Sequence, residues 1–222
     1  MVRYSSLPEI DTEHESTEVA SANSSKKSIF QFPHLILGAI GIFVHVGAQV
    51  ISIDTIIGYA NSMQINLLEA KVFPSYTLTA QITGYILGII CIPKFIRQVN
   101  ALRLCTVLGV VFTLLIIFAK GNVTFLGHAA DISIWFVVLL GFANSMIWAG
   151  MWPLALDGLG RFTKLGGSVM IMGLCGNAIM PLFYGHFADL YNVRLAYWVL
   201  LPCYLYLVFY AFYGHQIKRW TL

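Results

Sequence analysis

Five side chains in this sequence place hydrogen-bonding or aromatic chemistry inside strongly apolar surroundings: His45, Gln49, Asn144, Trp148 and Asn177. A carboxamide donates and accepts hydrogen bonds at once, and an indole face packs against C–H groups. Together they suit a neutral, polyhydroxylated ligand such as a sugar ring. The same amides serve equally as hydrogen bonds that fasten neighbouring membrane helices together. His45 reads either as an interior histidine or as a proton carrier. Ser/His/Asp spacing, a phosphate-cradling glycine loop and His/Cys metal spacing are all missing, so neither enzymatic catalysis, nor a cofactor, nor a bound metal is expected.

What positions these residues is a set of apolar runs. The chain is 58% hydrophobic and only 10% charged, with a mean hydropathy of +0.77; a soluble domain carries about a quarter charged residues. A net charge of +3, with its basic residues scattered between apolar runs, excludes a nucleic-acid-binding surface, which would cluster them. Lipid bilayer is the solvent that accommodates such a chain, and a hydrocarbon core of about 30 Å needs about twenty apolar residues per crossing. Runs of that kind lie at 35–59, 76–95, 102–119, 132–156, 167–190 and 195–213. The fold class expected is therefore an all-α integral membrane protein with six transmembrane helices. It divides into a disordered polar tail over 1–30, rich in Ser and in acidic residues such as Glu9, Asp11 and Glu13, and a six-helix transmembrane bundle over 31–222. Cys91, Cys105, Cys175 and Cys203 fall in or beside the apolar runs and read as reduced packing residues.

At a rise of 1.5 Å per residue, His45 lies about 15 Å and Gln49 about 21 Å into the first run, and Asn177 about 15 Å into the fifth. Asn144 falls near the middle of the fourth, with Trp148 one turn away on the same face. Polar groups at such depth are expensive in lipid and mark functional sites by default. The carboxylates Asp54, Asp157 and Asp189 fall at the ends of the runs instead.

Orientation follows from lysine and arginine, which short cytoplasmic loops retain in excess. With the tail inside, the cytoplasmic side collects Arg3, Lys26, Lys27, Lys94, Arg97, Arg103, Arg161, Lys164, Lys218 and Arg219, against Lys71, Lys120 and Arg194 outside. That asymmetry needs an even number of crossings and puts both termini in the cytoplasm, with the chain a multi-pass protein of the cell (inner or plasma) membrane.

Several stretches resemble a known family. Phe30-Gln31-Phe32-Pro33-His34-Leu35, Val46-Gly47-Ala48-Gln49 and Gly84-Tyr85-Ile86-Leu87-Gly88 are similar to the second half of the fucose/glucose/galactose:proton symporters of the major facilitator superfamily. Leu154-Ala155-Leu156-Asp157-Gly158-Leu159-Gly160-Arg161-Phe162-Thr163-Lys164 looks like that family's loop after helix ten. Tyr184-Gly185-His186-Phe187-Ala188-Asp189, Ala196-Tyr197-Trp198-Val199-Leu200 and Cys203-Tyr204 resemble its last two helices. Family members have twelve spans in two six-helix halves. The resemblance thus implies the C-terminal half of a hexose:proton symporter, with the tail equivalent to the family's central loop. It implies a monosaccharide and protons as transported partners, and a separate N-terminal six-helix half or a second copy as the structural partner. The family's proton-coupling carboxylates belong to the first half, in keeping with the lack of a carboxylate at mid-depth here. Gln49 occupies a position that is glutamate in the glucose/galactose branch and glutamine in the fucose branch, His45 stands where an aromatic is expected, and Asn177 where a second glycine follows Gly176. A non-transporting remnant or an accessory membrane subunit is the alternative, favoured by the missing coupling groups.

Overall fold

A backbone in lipid has no water to satisfy its N–H and C=O groups, so apolar runs of this length close their hydrogen bonds internally as helices. The computed structural model describes residues 28–92 and 94–219; Met1 to Lys27 of the expected tail, and Pro93, lie outside the described residues. Ser28 caps a 3-10 turn over Ile29–Gln31, and Ile29 is already buried against the bundle.

The first crossing is α1 (Pro33–Asp54), which opens on a proline whose missing N–H would be unpaired there anyway, continued by α2 (Ile56–Ser62). The two meet at Thr55, whose hydroxyl donates to the Ile51 carbonyl at 2.6 Å. A short α3 (Leu67–Ala70), capped by Asn66, leads into α4 (Phe73–Cys91). Then come α5 (Gln98–Phe118) and α6 (Ile132–Leu156). The fifth crossing is built in two pieces, α7 (Thr163–Met172) and α8 (Gly176–Leu190), joined by a 3-10 turn over Gly173–Cys175. The sixth is a 3-10 turn, Leu195–Val199, followed by α9 (Leu200–Phe212). The apolar run expected over 132–156 coincides with α6, and the other runs shift by a few residues at their ends.

Among the described residues, five helical runs are long and apolar enough to cross a membrane. The sixth, α4, has 19 residues, but Ser75, Thr77, Thr79, Gln81 and Thr83 dilute its apolar character. One element departs from an all-helical reading. Between α5 and α6 the polar stretch forms a β-hairpin, β1 (Asn122–Phe125) paired antiparallel with β2 (His128–Asp131). Its two turn residues, Leu126 and Gly127, both have positive φ, the twist that a two-residue hairpin turn demands.

α6 is the central helix: it packs on α1, α4 and α5, while α1 also carries α8 and α9, and α9 returns onto α5. The crossing of α1 with α8 depends on glycine. A Cβ on Gly176 would collide with the Phe43 carbonyl oxygen, and one on Gly47 with the Met180 side chain. Small residues that let backbones touch are how helices associate in lipid, where burial of apolar surface gives no drive.

Polar bonds gather at the two ends. At one end the Asp131 carboxylate caps α6 by accepting from the Ser133 N–H at 2.9 Å. Arg194 lies 3.6 Å from Asp131 and donates to the carbonyls of Ile116, at 3.0 Å, and Ala119, closing the end of α5. At the other end, His34 Nε2 bonds the Asp157 carbonyl at 2.9 Å, Lys218 pairs with the Asp157 carboxylate, and Arg103 Nε donates to Ala211 O at 3.1 Å. The start of α1 and the region after α9 therefore share one end of the bundle, as an even number of crossings requires.

Candidate functional site

The structure gives the five sequence-selected residues different environments. Asn144 is fully buried. Its Oδ1 accepts from the Tyr204 hydroxyl at 3.0 Å and its Nδ2 donates to Ser52 Oγ at 3.4 Å. Ser52 in turn donates to the Gln49 carbonyl at 2.7 Å. One chain of hydrogen bonds thus runs from α9 through α6 to α1, and Asn144 is its middle link. This is the fastening role that buried amides take in membrane bundles.

His45 is 1% exposed and lies two helical turns before Ser52 on α1. Its Nδ1 has no hydrogen-bond partner among the described residues. Gln49 is half-buried, and its carboxamide makes no hydrogen bond with another described residue. Trp148, also half-buried, packs its ring on Trp152 with centroids 5.6 Å apart and planes at 52°. The Trp152 Nε1 is buried without an acceptor among the described residues.

Asn177 stands on the exposed face of α8, and its carboxamide makes no hydrogen bond with another described residue. Four residues on, Pro181 sits inside the helix and has no N–H to give to the Asn177 carbonyl. The Asn177 side chain is thus exposed at a depth about 15 Å from the start of the run.

The structure therefore joins Asn144 to the Gln49 backbone and leaves Asn177 on the outer face of the bundle. None of the five lines either of two hollows in the bundle. One of about 520 Å³ lies between α1, α8 and α9, walled by apolar residues such as Val44, Phe183 and Trp198. The other, about 340 Å³, lies between α4, α5 and α6 and includes Gly88, Gln98, Met146 and Gly150. Ser52, Tyr204 and Trp152 escaped the sequence reading. Ser52 and Trp152 fall at i+3 and i+4 from selected residues, a signal that could have found them; Tyr204 was hidden in the tyrosine-rich run Tyr204, Tyr206, Tyr210.

Charge is kept to the ends. Asp54, Asp157 and Asp189 are all exposed. Burial would raise the Asp131 carboxyl, but hydrogen bonds from the Ser133 hydroxyl and N–H, the nearby Arg194 guanidinium and the Gly121 main chain together hold it below the usual carboxylate range. The described residues contain no cluster of three or more His, Cys, Asp or Glu able to hold a metal ion.

No protein-family model matches the chain. It is 28% identical over 202 residues to a glucose/galactose transporter of Brucella abortus biovar 1 (strain 9-941), covering 90% of this chain and 47% of that protein. It is 26% identical over 216 residues to a putative glucose/galactose transporter of Helicobacter pylori (strain ATCC 700392 / 26695), covering 95% and 49%. Its structure is similar to that of the E. coli fucose:proton symporter, with a TM-score of 0.72 and 19% identity over 91% of this chain and 45% of that one. A major facilitator superfamily transporter in the outward conformation gives a TM-score of 0.74 and 20% identity, over 90% and 45%. The chain spans about half the length of the curated relatives it matches. It is a multi-pass membrane protein with the fold of one half of a major facilitator transporter, similar over nearly all its length to half of a glucose/galactose transporter.

Proposed function

We propose that this bundle is the C-terminal half of a hexose:proton symporter for a monosaccharide of the glucose, galactose or fucose type, both of its ends cytoplasmic, working with a six-helix N-terminal half. The observation that carries the reading is Asn177. A bundle that faced only lipid would hide an amide at mid-depth; here the Asn177 side chain is exposed, four residues before a proline that removes the helical donor for its carbonyl. Polar backbone and side chains at membrane depth persist where they meet protein or line a watery cavity. In transporters, helices interrupted near the midplane, as the fifth crossing is at Gly173–Cys175, mark the substrate site, and transport proceeds by rocking one bundle against another.

In this account the free carboxamides of Asn177 and Gln49 bond sugar hydroxyls, the Trp148 face packs on the ring, and Asn144 fixes α6 between α1 and α9. His45, four residues before Gln49 on α1, belongs to the same helical face. The bundle's own carboxylates sit at its ends, so proton coupling is assigned to the partner half. The test is sugar binding by this chain assembled with the N-terminal half of a glucose/galactose transporter, followed by Trp148 fluorescence. Asn177→Leu and Gln49→Leu should each weaken binding roughly ten- to a hundredfold, because a hydroxyl left without its partner in a dry site costs about 1–3 kcal/mol. Unchanged affinity in both variants would overturn the assignment.

A further inference from the structure

Pro153 lies inside α6, so the carbonyl four residues earlier, on Ala149, loses the N–H that a continuous helix would supply. A side chain fills that role. Gln98, the first residue of α5, donates from Nε2 to the Ala149 carbonyl at 2.7 Å. The approach is made possible by Gly150, where a Cβ would come within 3.0 Å of the Leu102 Cβ; Leu102 and Gln98 are one turn apart on the same face of α5. Beside this bond lies the hollow of about 340 Å³ that Gln98, Ala101, Met146, Ala149 and Gly150 help to line. Beyond Pro153, the inner end of α6 is held by Asp157 through His34 and Lys218.

We infer that α6 is hinged between Ala149 and Pro153 and that Gln98 is its latch, a positioning residue that holds the bend in one setting. With the amide seated, the freed carbonyl has its donor and the inner third of α6 is fixed against α5. When the amide leaves, the adjoining hollow gives water access to the carbonyl and the inner end of α6 can swing about Pro153, carrying Asp157 with it. The latch rests on geometry within this bundle and stands whether or not the ligand is a sugar.

The test uses the full chain in lipid nanodiscs, with Gln98→Leu, Pro153→Ala and the double variant, read by hydrogen–deuterium exchange and by thermal melting. In the native background Gln98→Leu should raise exchange in the peptide over 146–157 roughly fivefold, the population change expected for one lost hydrogen bond, and lower Tm. In the Pro153→Ala background the new N–H takes the Ala149 carbonyl, and Gln98→Leu should then change neither. Equal effects of Gln98→Leu in both backgrounds would overturn the latch. If Pro153→Ala does not fold, the comparison falls on Gln98→Leu alone: faster exchange confined to the second half of α6 supports the latch, and exchange unchanged or raised evenly along α5 and α6 overturns it.

Discussion

The Tyr204 phenol and the Asn144 carboxamide, sixty residues apart in sequence, are joined by a 3.0 Å hydrogen bond in the centre of the bundle. Because Asn144 also reaches Ser52, this pair ties three helices with two polar side chains and one hydroxyl. Removing Asn144 strands the Tyr204 hydroxyl in a dry interior, whereas removing that hydroxyl leaves Asn144 still bonded to Ser52.

Asn144→Leu should therefore act first on folding. It leaves the Tyr204 hydroxyl without its acceptor and cuts the link to α1, for a cost of about 1–3 kcal/mol. Tyr204→Phe removes a single bond and should cost less, near the ~0.6 kcal/mol average for interhelical bonds in membranes. Thermal melting in nanodiscs should show the two effects to be far from additive in the double variant, since they share one interaction. Additive losses would mean that the two side chains act separately.

The α1–α8 crossing makes a second claim. Gly176→Ala drives a methyl group into the Phe43 carbonyl, which as backbone cannot step aside, so a loss of about 1–3 kcal/mol or more is expected. Gly185, in the same helix, has nothing within 4 Å of its would-be Cβ, and Gly185→Ala should be neutral or stabilising by up to about 1 kcal/mol. Melting curves of the two alanine variants check the contrast.

The helix cap at Asp131 carries a pH dependence. Its folded-state pKa is depressed, so its contribution to stability is fully present at neutral pH, begins to fade as the pH falls past about 4, the ordinary carboxylate value, and is gone below the lowered folded value. Asp131→Asn should lower Tm at pH 7, and the gap between variant and native chain should narrow as the medium is acidified below about pH 4. A gap that stays constant across that range would show that the carboxylate charge contributes nothing.

Much of the fold was legible because lipid imposes a length on each crossing, and the apolar run at 132–156 became α6 with the same ends. Breaks inside the crossings were harder to read. Gly173–Cys175 interrupts a crossing whose composition stays apolar on both sides, so hydropathy carries no trace of it, and Thr55 breaks the first crossing beside Asp54, inside a run read as one helix. The hairpin before α6 was hidden for the opposite reason, since a short polar stretch reads as loop until its pairing partner is known. At the candidate site, sequence depth singled out Asn144 and Asn177 alike, but depth does not say which way a side chain faces. Tertiary packing turned one inward to Tyr204 and left the other on the open face of α8. Likewise Gln98 stood at the edge of a polar loop, and only the spatial approach of α5 at Gly150 brought it to the carbonyl that Pro153 freed.

The central claim, that this bundle supplies half of a sugar pathway, is tested most directly by uptake. Vesicles should be prepared with this chain, with the N-terminal six-helix half of a glucose/galactose transporter, and with both, and glucose, galactose and fucose accumulation followed under an inward proton gradient. The account predicts accumulation only where both halves are present, and its loss in Asn177→Leu with the assembled pair still folded. Accumulation by this chain alone, or none by a pair shown to assemble, would contradict it.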